Sequence, residues 1–589
     1  MTSGHGGRCG WCEGALLLVI LAAGLWLRLR GLSFGLPAVY NPDEIAILSR
    51  SLAFGTGDLN PHNFLYPTFY FYVLFAWIGA YFVAGRITGH IQSLPAFQTD
   101  FFVDPSHIYL AGRSLSVVCG LATVAAVWWL ARRLFGPRVA VAAACFMAVA
   151  PAAIRDAHYI KHDVPVTLAV VCAVTAIRRL WPWTESSATT PSRPAGESLG
   201  PTILAGAACG VAFSTHYYAV FLTLPLLVAV FTGHRDTAST AVRRLVVAVA
   251  TATFMFFLLS PFLLWEPATA VRDIVANRRI VVDRSGVSAV LPFPGLGTYL
   301  LMLGREAVGW PVAVLAVWGA MVLWTLSRRV ALWWVSFPLA FFLFISTTVP
   351  ASRYLNPIVP FIAVLAALGA NDLVVRLRTT QHGVLLAGAA IAAIVPAVTQ
   401  GARIGSFFRQ TDTRTLAQQF VEQTVQPGMT VLVQPYSVQL TQSREGLVEA
   451  LTAHLGDSRR ASTKFSLRLG LDPWPQPAYR TLFLGSGGLD ADKIYTDYAA
   501  FAGERGPETL RLLDVDYVVL KRYPEDDMAT APLRATLERH GRLVQRFSPY
   551  RPDAAAGAAA AAPYEHNTDT PLDVSLERPG PIMEIWAVR

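Results

Sequence analysis

Apolar residues along this chain gather into blocks separated by short polar connections, and the blocks are long enough to cross a bilayer, which takes about 17–25 residues. Spans are predicted at 14–31, 107–130, 139–155, 163–180, 202–216, 217–232, 245–264, 308–327, 331–349, 354–371 and 383–400. A further stretch, Tyr66 to Gly85, is apolar and rich in aromatics, and Pro67 suits a helix starting there. The pattern predicts a polytopic α-helical membrane protein with about eleven transmembrane helices.

Charge in the connections sets an orientation. Arg132, Arg133 and Arg138 lie between two spans, as do Arg178 and Arg179, then Arg235, Arg243 and Arg244, then Arg328 and Arg329, then Arg376 and Arg378. Every second connection is therefore basic and expected in the cytoplasm. With residues 1–13 inside, this parity holds if Tyr66–Gly85 makes no net crossing and lies along the membrane or dips in and returns. Arg28 and Arg30 are then exceptions, placed at the outer end of the first span. The connections 33–106, 156–162, 265–307 and 350–353 fall on the extracytoplasmic side, of a bacterial inner membrane by expectation.

From about residue 401 the period changes. Thr411 to Gln426 reads as an amphipathic helix, and Thr430–Val433, Thr481–Leu484, Val515–Lys521 and Ile582–Val588 read as strands. Ala554 to Ala562 is a low-complexity insert. The organisation predicted is a transmembrane domain over 14–400 followed by an extracytoplasmic soluble α/β or α+β domain over 401–589, long enough for a core of its own.

Composition agrees: 53% of the residues are hydrophobic and 15% charged, which excludes an ordinary soluble chain. The net charge of +9 resides in the connections, a topology signal with no nucleic-acid footprint. The first apolar block runs into Arg28 and Arg30 without a small-residue cleavage site, unlike a signal peptide. Of six cysteines, Cys119, Cys145, Cys172 and Cys209 lie inside apolar blocks, and Cys9-Gly-Trp-Cys12 has no second pair to complete a zinc site.

Candidate chemistry collects at one face. Asn41-Pro42-Asp43-Glu44 makes a good helix start, with Asn41 as N-cap and Glu44 completing a capping box. It is also an acidic pair beside the membrane, where one carboxylate can deprotonate a hydroxyl and the other orient it or bind a divalent cation. Helix neighbours point about 100° apart, so the two cannot share one role. The next outer loop holds Arg155, Asp156, His158, Lys161, His162 and Asp163, a costly density unless it lines a polar cavity. Asp163, before Val164-Pro165, also suits a helix N-terminus. His158 and His162 are spaced as metal ligands on a helix, yet no third ligand accompanies them, so no metal site is assigned. His216, and Arg353 with Tyr354, interrupt apolar sequence on the same side. Lys161, His216 and Arg353 are the candidate phosphate contacts, with Arg the best fork for one. In the 266–297 loop, Arg272, Arg278, Arg279, Asp283 and Arg284 either cover a cavity or solvate a surface helix.

The Asp43-Glu44 pair after the first span, the second loop ending in Asp163-Val-Pro165, the Arg132-Arg133-Leu-Phe-Gly136 turn and Arg353-Tyr354 followed by prolines resemble the GT-C superfamily of glycosyltransferases. Within it the chain is most similar to protein O-mannosyltransferases and aminoarabinose transferases, over about residues 14–400. The resemblance implies a polyprenyl-phosphate-linked sugar donor, an inverting transfer, Asp43 as the catalytic carboxylate, and Asp163 shaping the acceptor or donor site. Asp156, His158, Lys161, His216, Arg353 and Tyr354 are the remaining binding candidates. One departure stands out: aminoarabinose transferases carry a Lys where this chain has His216. The acceptor class (protein, lipid or glycan) stays open. A transporter or flippase would place paired ionisable groups near the midplane in two related halves, and no halves match here. A ligase using a lipid-diphosphate donor would need the same charged face, and a scaffold would not need so many spans.

Overall fold

The computed structural model describes residues 5–180, 199–232, 238–282, 293–376, 382–485, 490–503, 505–523, 527–552, 562–564, 566 and 572–588. Arg235, Asp283, Arg284, Arg378 and most of the alanine-rich insert lie outside the described residues, as do the side chains of Cys9 and Cys12. The chain forms two compact units. The first takes in Met1–Leu32, Ala46–Gly79 and Ala111–Gly405; the second takes in Ser33–Ile45, Ala80–Leu110 and Ser406–Arg589.

Helices dominate the first unit. In chain order the helices up to the C-terminal region are α1 (His5–Leu29), α2 (Pro42–Ala53), α3 (Phe69–Thr88), α4 (Leu94–Val103), α5 (Ser106–Phe135), α6 (Pro137–Val149) and α7 (Pro151–Asp156). Then come α8 (Asp163–Ile177), α9 (Gly200–Thr215), α10 (Thr223–Thr232), α11 (Ala238–Leu259), α12 (Phe262–Trp265) and α13 (Pro267–Val281). The last are α14 (Leu296–Met302), α15 (Trp310–Leu326), α16 (Arg328–Ile345), α17 (Val359–Arg376) and α18 (His382–Phe408). Among the described residues six helices are long and apolar enough to cross a membrane, or up to seven if the bent pair Leu296–Ala307 and Trp310–Leu326 is one span. Several predicted spans coincide with shorter apolar helices, Pro137–Val149, Gly200–Thr215 and Tyr217–Thr232. At a rise of about 1.5 Å per residue these fall short of a full hydrocarbon thickness. Tyr66–Gly85 corresponds to the continuous apolar helix α3, with no dip and return inside it.

One break divides the predicted 139–155 span and another precedes α15. Pro151 starts α7 right after Ala150, which ends α6, because proline lacks the N–H and clashes with the preceding turn. Gly309, at φ +87°, turns the chain by 114° between the Leu296–Ala307 segment and α15. Elsewhere glycine permits close helix packing: a methyl on Gly319 would collide with the Leu365 carbonyl, and one on Gly369 with that of Leu315. Helices α15 and α17 therefore touch backbone to backbone, the small-residue packing that membrane interfaces favour. Helix α17 is buried on all sides from Val359 to Ala370 and forms the centre of the unit.

The exceptional Arg28 is explained by burial. Its guanidinium is fully enclosed and donates to the carbonyls of Gly24 (3.0 Å) and Ala148 (2.9 Å). It ties α1 to the end of α6 and is no loop charge.

In the second unit a sheet runs in the order β2 (Thr441–Gln442), β3 (Ala478–Leu484), β1 (Thr430–Val433), β5 (Tyr517–Arg522), β7 (Ile582–Ala587), β6 (Arg542–Phe547), with β4 (Ile494–Thr496) beside β3. Pairs among β1 to β5 are parallel, and β7 is antiparallel to both β5 and β6. Strand side chains alternate between faces. Val431 and Val433 pack with Ala417 and Val421 of α19 (Thr413–Thr424), whereas Leu432 packs with Leu510, Leu533 and Leu537. Both faces are covered, as parallel sheets require. Helix α18 runs on past residue 401, where the composition changes, to Phe408.

Candidate active site

Asp43 and Glu44 belong to the second unit, in the first turn of α2. The Asp43 backbone N–H donates to Asn41 Oδ1 at 3.0 Å, so Asn41 is the N-cap its residue type suggests. The two carboxylates differ in environment: Glu44 is fully buried, whereas Asp43 is half-buried. That is the divergence expected of helix neighbours, and it leaves Asp43 as the accessible carboxylate.

The other candidates lie in the first unit. A hairpin-like connection, residues 157–162, joins α7 to α8 and is buried throughout. Asp156 lies in an interior polar network. It accepts from Arg155 Nε (2.8 Å) and Nη2 (3.1 Å), and from Asn356 Nδ2. Arg155 also donates to Ser352 Oγ at 2.7 Å and lies 3.8 Å from Glu306. A buried carboxylate so paired is costly to disturb, and this one fixes the Ser352–Asn356 turn that carries Arg353 and Tyr354. His158 is equally engaged, with Nδ1 2.9 Å from the Ile154 carbonyl and Nε2 3.1 Å from the Arg30 carbonyl. It braces the loop against the end of α1. The spacing of His158 and His162 therefore makes no metal pair here, and no group of three or more metal-binding side chains occurs among the described residues.

His162 faces an aromatic enclosure. Tyr66 stacks on it at 4.3 Å, and Tyr70 and Phe71 stand at 4.6 and 5.3 Å. Burial pushes its pKa down to about 3, with Arg50 adding to the effect, so the ring is neutral at physiological pH. Its Nε2 has no hydrogen-bond partner among the described residues, an unusual state for a buried polar atom. Tyr66 also meets His216 edge-on at 5.3 Å, and His216 stacks on Tyr218 at 3.8 Å. His216 lies within electrostatic range of Arg353, and Tyr218 within range of Asp163, Arg353 and Tyr354. Arg353 places its guanidinium 5.2 Å from the Tyr354 ring, and Lys161 its ammonium 5.4 Å from that of Tyr159.

Four of these residues, Tyr66, His216, Tyr218 and Tyr354, line a cavity of about 480 Å³. Tyr66, His216, Tyr218 and Tyr354 line one part, Phe341, Phe344 and Ile345 a second, and Asn277, Arg278 and Val281 a third. Of the residues singled out in the sequence, His216 and Tyr354 line the cavity, His162 and Arg353 lie near His216, and Asp163 lies within electrostatic range of Tyr218, whereas Asp156 and His158 are engaged in interior hydrogen bonds. Of the arginines described in that loop, Arg278 lines the cavity, and it is exposed, as are Arg272 and Arg279. Tyr66, Tyr218 and Asn277 went unnoticed, since a tyrosine or an asparagine at the edge of an apolar run carries no local mark.

Residues 107–265 match the family model of dolichyl-phosphate-mannose-protein mannosyltransferases. Compared by sequence with curated proteins, the chain has no match. Among solved structures it is similar to the apo oligosaccharyltransferase of Archaeoglobus fulgidus, at 10% identity and a TM-score of 0.52, over 98% of this chain and 88% of that one. It is also similar to ArnT from Cupriavidus metallidurans bound to undecaprenyl phosphate, at 17% identity and a TM-score of 0.49, over 89% of this chain and 95% of that one. The matched segment spans α5 to α12 and holds the 157–162 loop and His216. Beyond that segment, the likeness to the solved structures is one of fold.

Proposed function

We propose that the protein transfers a sugar from a polyprenyl-phosphate carrier to an acceptor hydroxyl on the extracytoplasmic face, with inversion, and that Asp43 is the general base. The observation carrying this reading is the cavity: an aromatic and aliphatic chamber with His216, Tyr354 and Arg278 in its wall and Arg353 close by. An apolar chamber edged by cations suits an amphiphile with an anionic head. The family model that matches residues 107–265 is itself described by a dolichyl-phosphate-linked donor.

The acceptor oxygen attacks the anomeric carbon as the bond to the carrier phosphate breaks. The acceptor proton passes to the Asp43 carboxylate, and the phosphate leaves with the bonding pair. A single displacement of this kind inverts the anomeric centre. Phosphate is a good leaving group, so the reaction asks for positive charge where it departs and a base where the proton is lost. Arg353 supplies the first, with Lys161 as the second candidate. Neutral His162, set among Tyr66, Tyr70 and Phe71 near His216, offers a hydrogen-bonding group next to the chamber.

The test incubates purified protein with a panel of polyprenyl-phosphate sugars and acceptors, and reads carrier release and product anomericity. Release of free carrier phosphate with an inverted product is expected. Turnover only with lipid-diphosphate donors would overturn the assignment.

A further inference from the structure

The segment that carries Asp43 is held, residue by residue, by the C-terminal part of its own unit. Val39 is gripped at both backbone atoms by one amide: its N–H donates to Gln439 Oε1 at 3.3 Å, and its carbonyl accepts from Gln439 Nε2 at 2.6 Å. Tyr40 comes next, its hydroxyl 2.7 Å from Thr415 Oγ1 and its ring 3.9 Å beneath the Arg414 guanidinium. Arg414 cannot drift, because Asp412 binds it through Nε (2.9 Å) and Nη2 (2.7 Å) while capping α19. Asn41 then donates to the His566 carbonyl at 2.9 Å while its Oδ1 receives the Asp43 N–H. Phe34, upstream, stacks on His566 at 4.5 Å.

A loop that only connected two helices would not need three consecutive residues pinned by partners some 375 to 525 positions away in sequence. Tyr40 and Asn41 are nearly inaccessible, whereas Asp43, two residues on, is not. The arrangement immobilises the backbone up to the first turn of α2 and leaves the carboxylate presented.

We propose that Gln439, Thr415 and Arg414 are positioning residues for Asp43, so that the C-terminal domain fixes the geometry of proton abstraction. The proposal rests on Asp43 acting as the base. Misplacement of a catalytic group by about 1 Å can cost about 100-fold in rate, so loosening one anchor of several should cost about 10-fold.

Gln439 is exposed, so Gln439→Ala removes the grip on Val39 without opening the core. Tyr40→Phe removes only the bond to Thr415. Each variant, with its thermal unfolding checked, is assayed for kcat and donor KM, alone and combined with Asp43→Asn. The expected result is kcat lowered about 10-fold, donor KM within about twofold, and no further loss in the Asp43→Asn background, because coupled residues are not additive. If Asp43→Asn is impaired while Gln439→Ala and Tyr40→Phe turn over like wild type, or lose as much in the Asp43→Asn background as alone, the positioning role is overturned and the base survives. Wild-type turnover by Asp43→Asn removes the base itself, and the positioning role with it.

Discussion

Replacing Asp43 with Asn keeps its shape and removes the charge that accepts a proton. A first-turn acid interacting only with the helix dipole contributes about 0.3–1 kcal/mol, so its loss would leave turnover nearly unchanged. As the base, Asp43→Asn should lower kcat by about 10²–10⁴-fold with donor affinity kept, read as sugar transfer at saturating donor and acceptor. A variant within about fivefold of wild type would take the role from Asp43, since a missing base costs more than that. Arg353 bears on the other end of the reaction. Arg353→Ala should raise donor KM more than it lowers kcat, and Arg353→Lys should restore it only in part, because Lys presents no planar fork. Unchanged carrier affinity in Arg353→Ala would pass the phosphate contact to Lys161 or His216. The sequence pointed to each of these side chains by its polarity within apolar surroundings. What it could not show was engagement: nothing local tells that His158 is spent on two carbonyls while His162, four residues on, faces aromatic rings.

Secondary structure was most legible where periodicity is unambiguous. The strand at Thr430–Val433 and the end of that at Leu484 fall where β-branched and apolar runs predict them, and α19 falls inside the predicted amphipathic stretch. The break inside 139–155 was not legible, since one proline at 151 leaves the hydropathy of an apolar run almost unaltered, whereas the turn at Gly309 falls at the predicted start of the 308–327 span. Close packing at Gly319 yields a direct test. Gly319→Leu should force α15 from α17 and lower the melting temperature in detergent, whereas the same change at exposed Val317 should not. Equal melting of both variants would mean that the helix contact is dispensable. In the C-terminal unit the buried Asp412–Arg414 pair ties α19 to Tyr40. Burial alone would raise the Asp412 carboxyl, but the Arg414 charge and hydrogen bonds outweigh it and hold its pKa well below the usual carboxylate range. A depressed folded-state pKa contributes stability that is fully present above the ordinary carboxylate value and is lost as pH falls through the depressed one. Asp412→Asn should therefore be destabilising at pH 7 by about 3–5 kcal/mol, the cost of stranding a buried partner, with the difference closing only in strong acid. A wild-type protein and an Asp412→Asn variant of equal stability at pH 7 would contradict this.

For the whole molecule the open question is which way the chain is threaded, and the arginine-bearing connections supply the argument. Arg133, Arg179, Arg244 and Arg329 mark alternate connections, and cytoplasmic retention of such loops is the strongest topological rule for multi-pass proteins. Arg28 no longer counts against that parity, since it is enclosed between α1 and α6 and carries no loop charge. Helix α3 is the critical element. Its 20 residues, at about 1.5 Å each, reach about 30 Å, enough to cross, so length does not decide whether it does. A crossing by α3 would reverse every connection after it and put the basic loops outside, against the rule. Reporter fusions after Arg133, Arg179, Arg244 and Arg329 should therefore read cytoplasm. Fusions at residue 90 and within the alanine run 554–562 should read the extracytoplasmic side, the side on which Asp43 and the C-terminal domain must then work. A cytoplasmic signal at residue 90 would make α3 a true crossing. An extracytoplasmic signal after Arg133 would go further, removing the charge argument and with it the assignment of the reaction to that face.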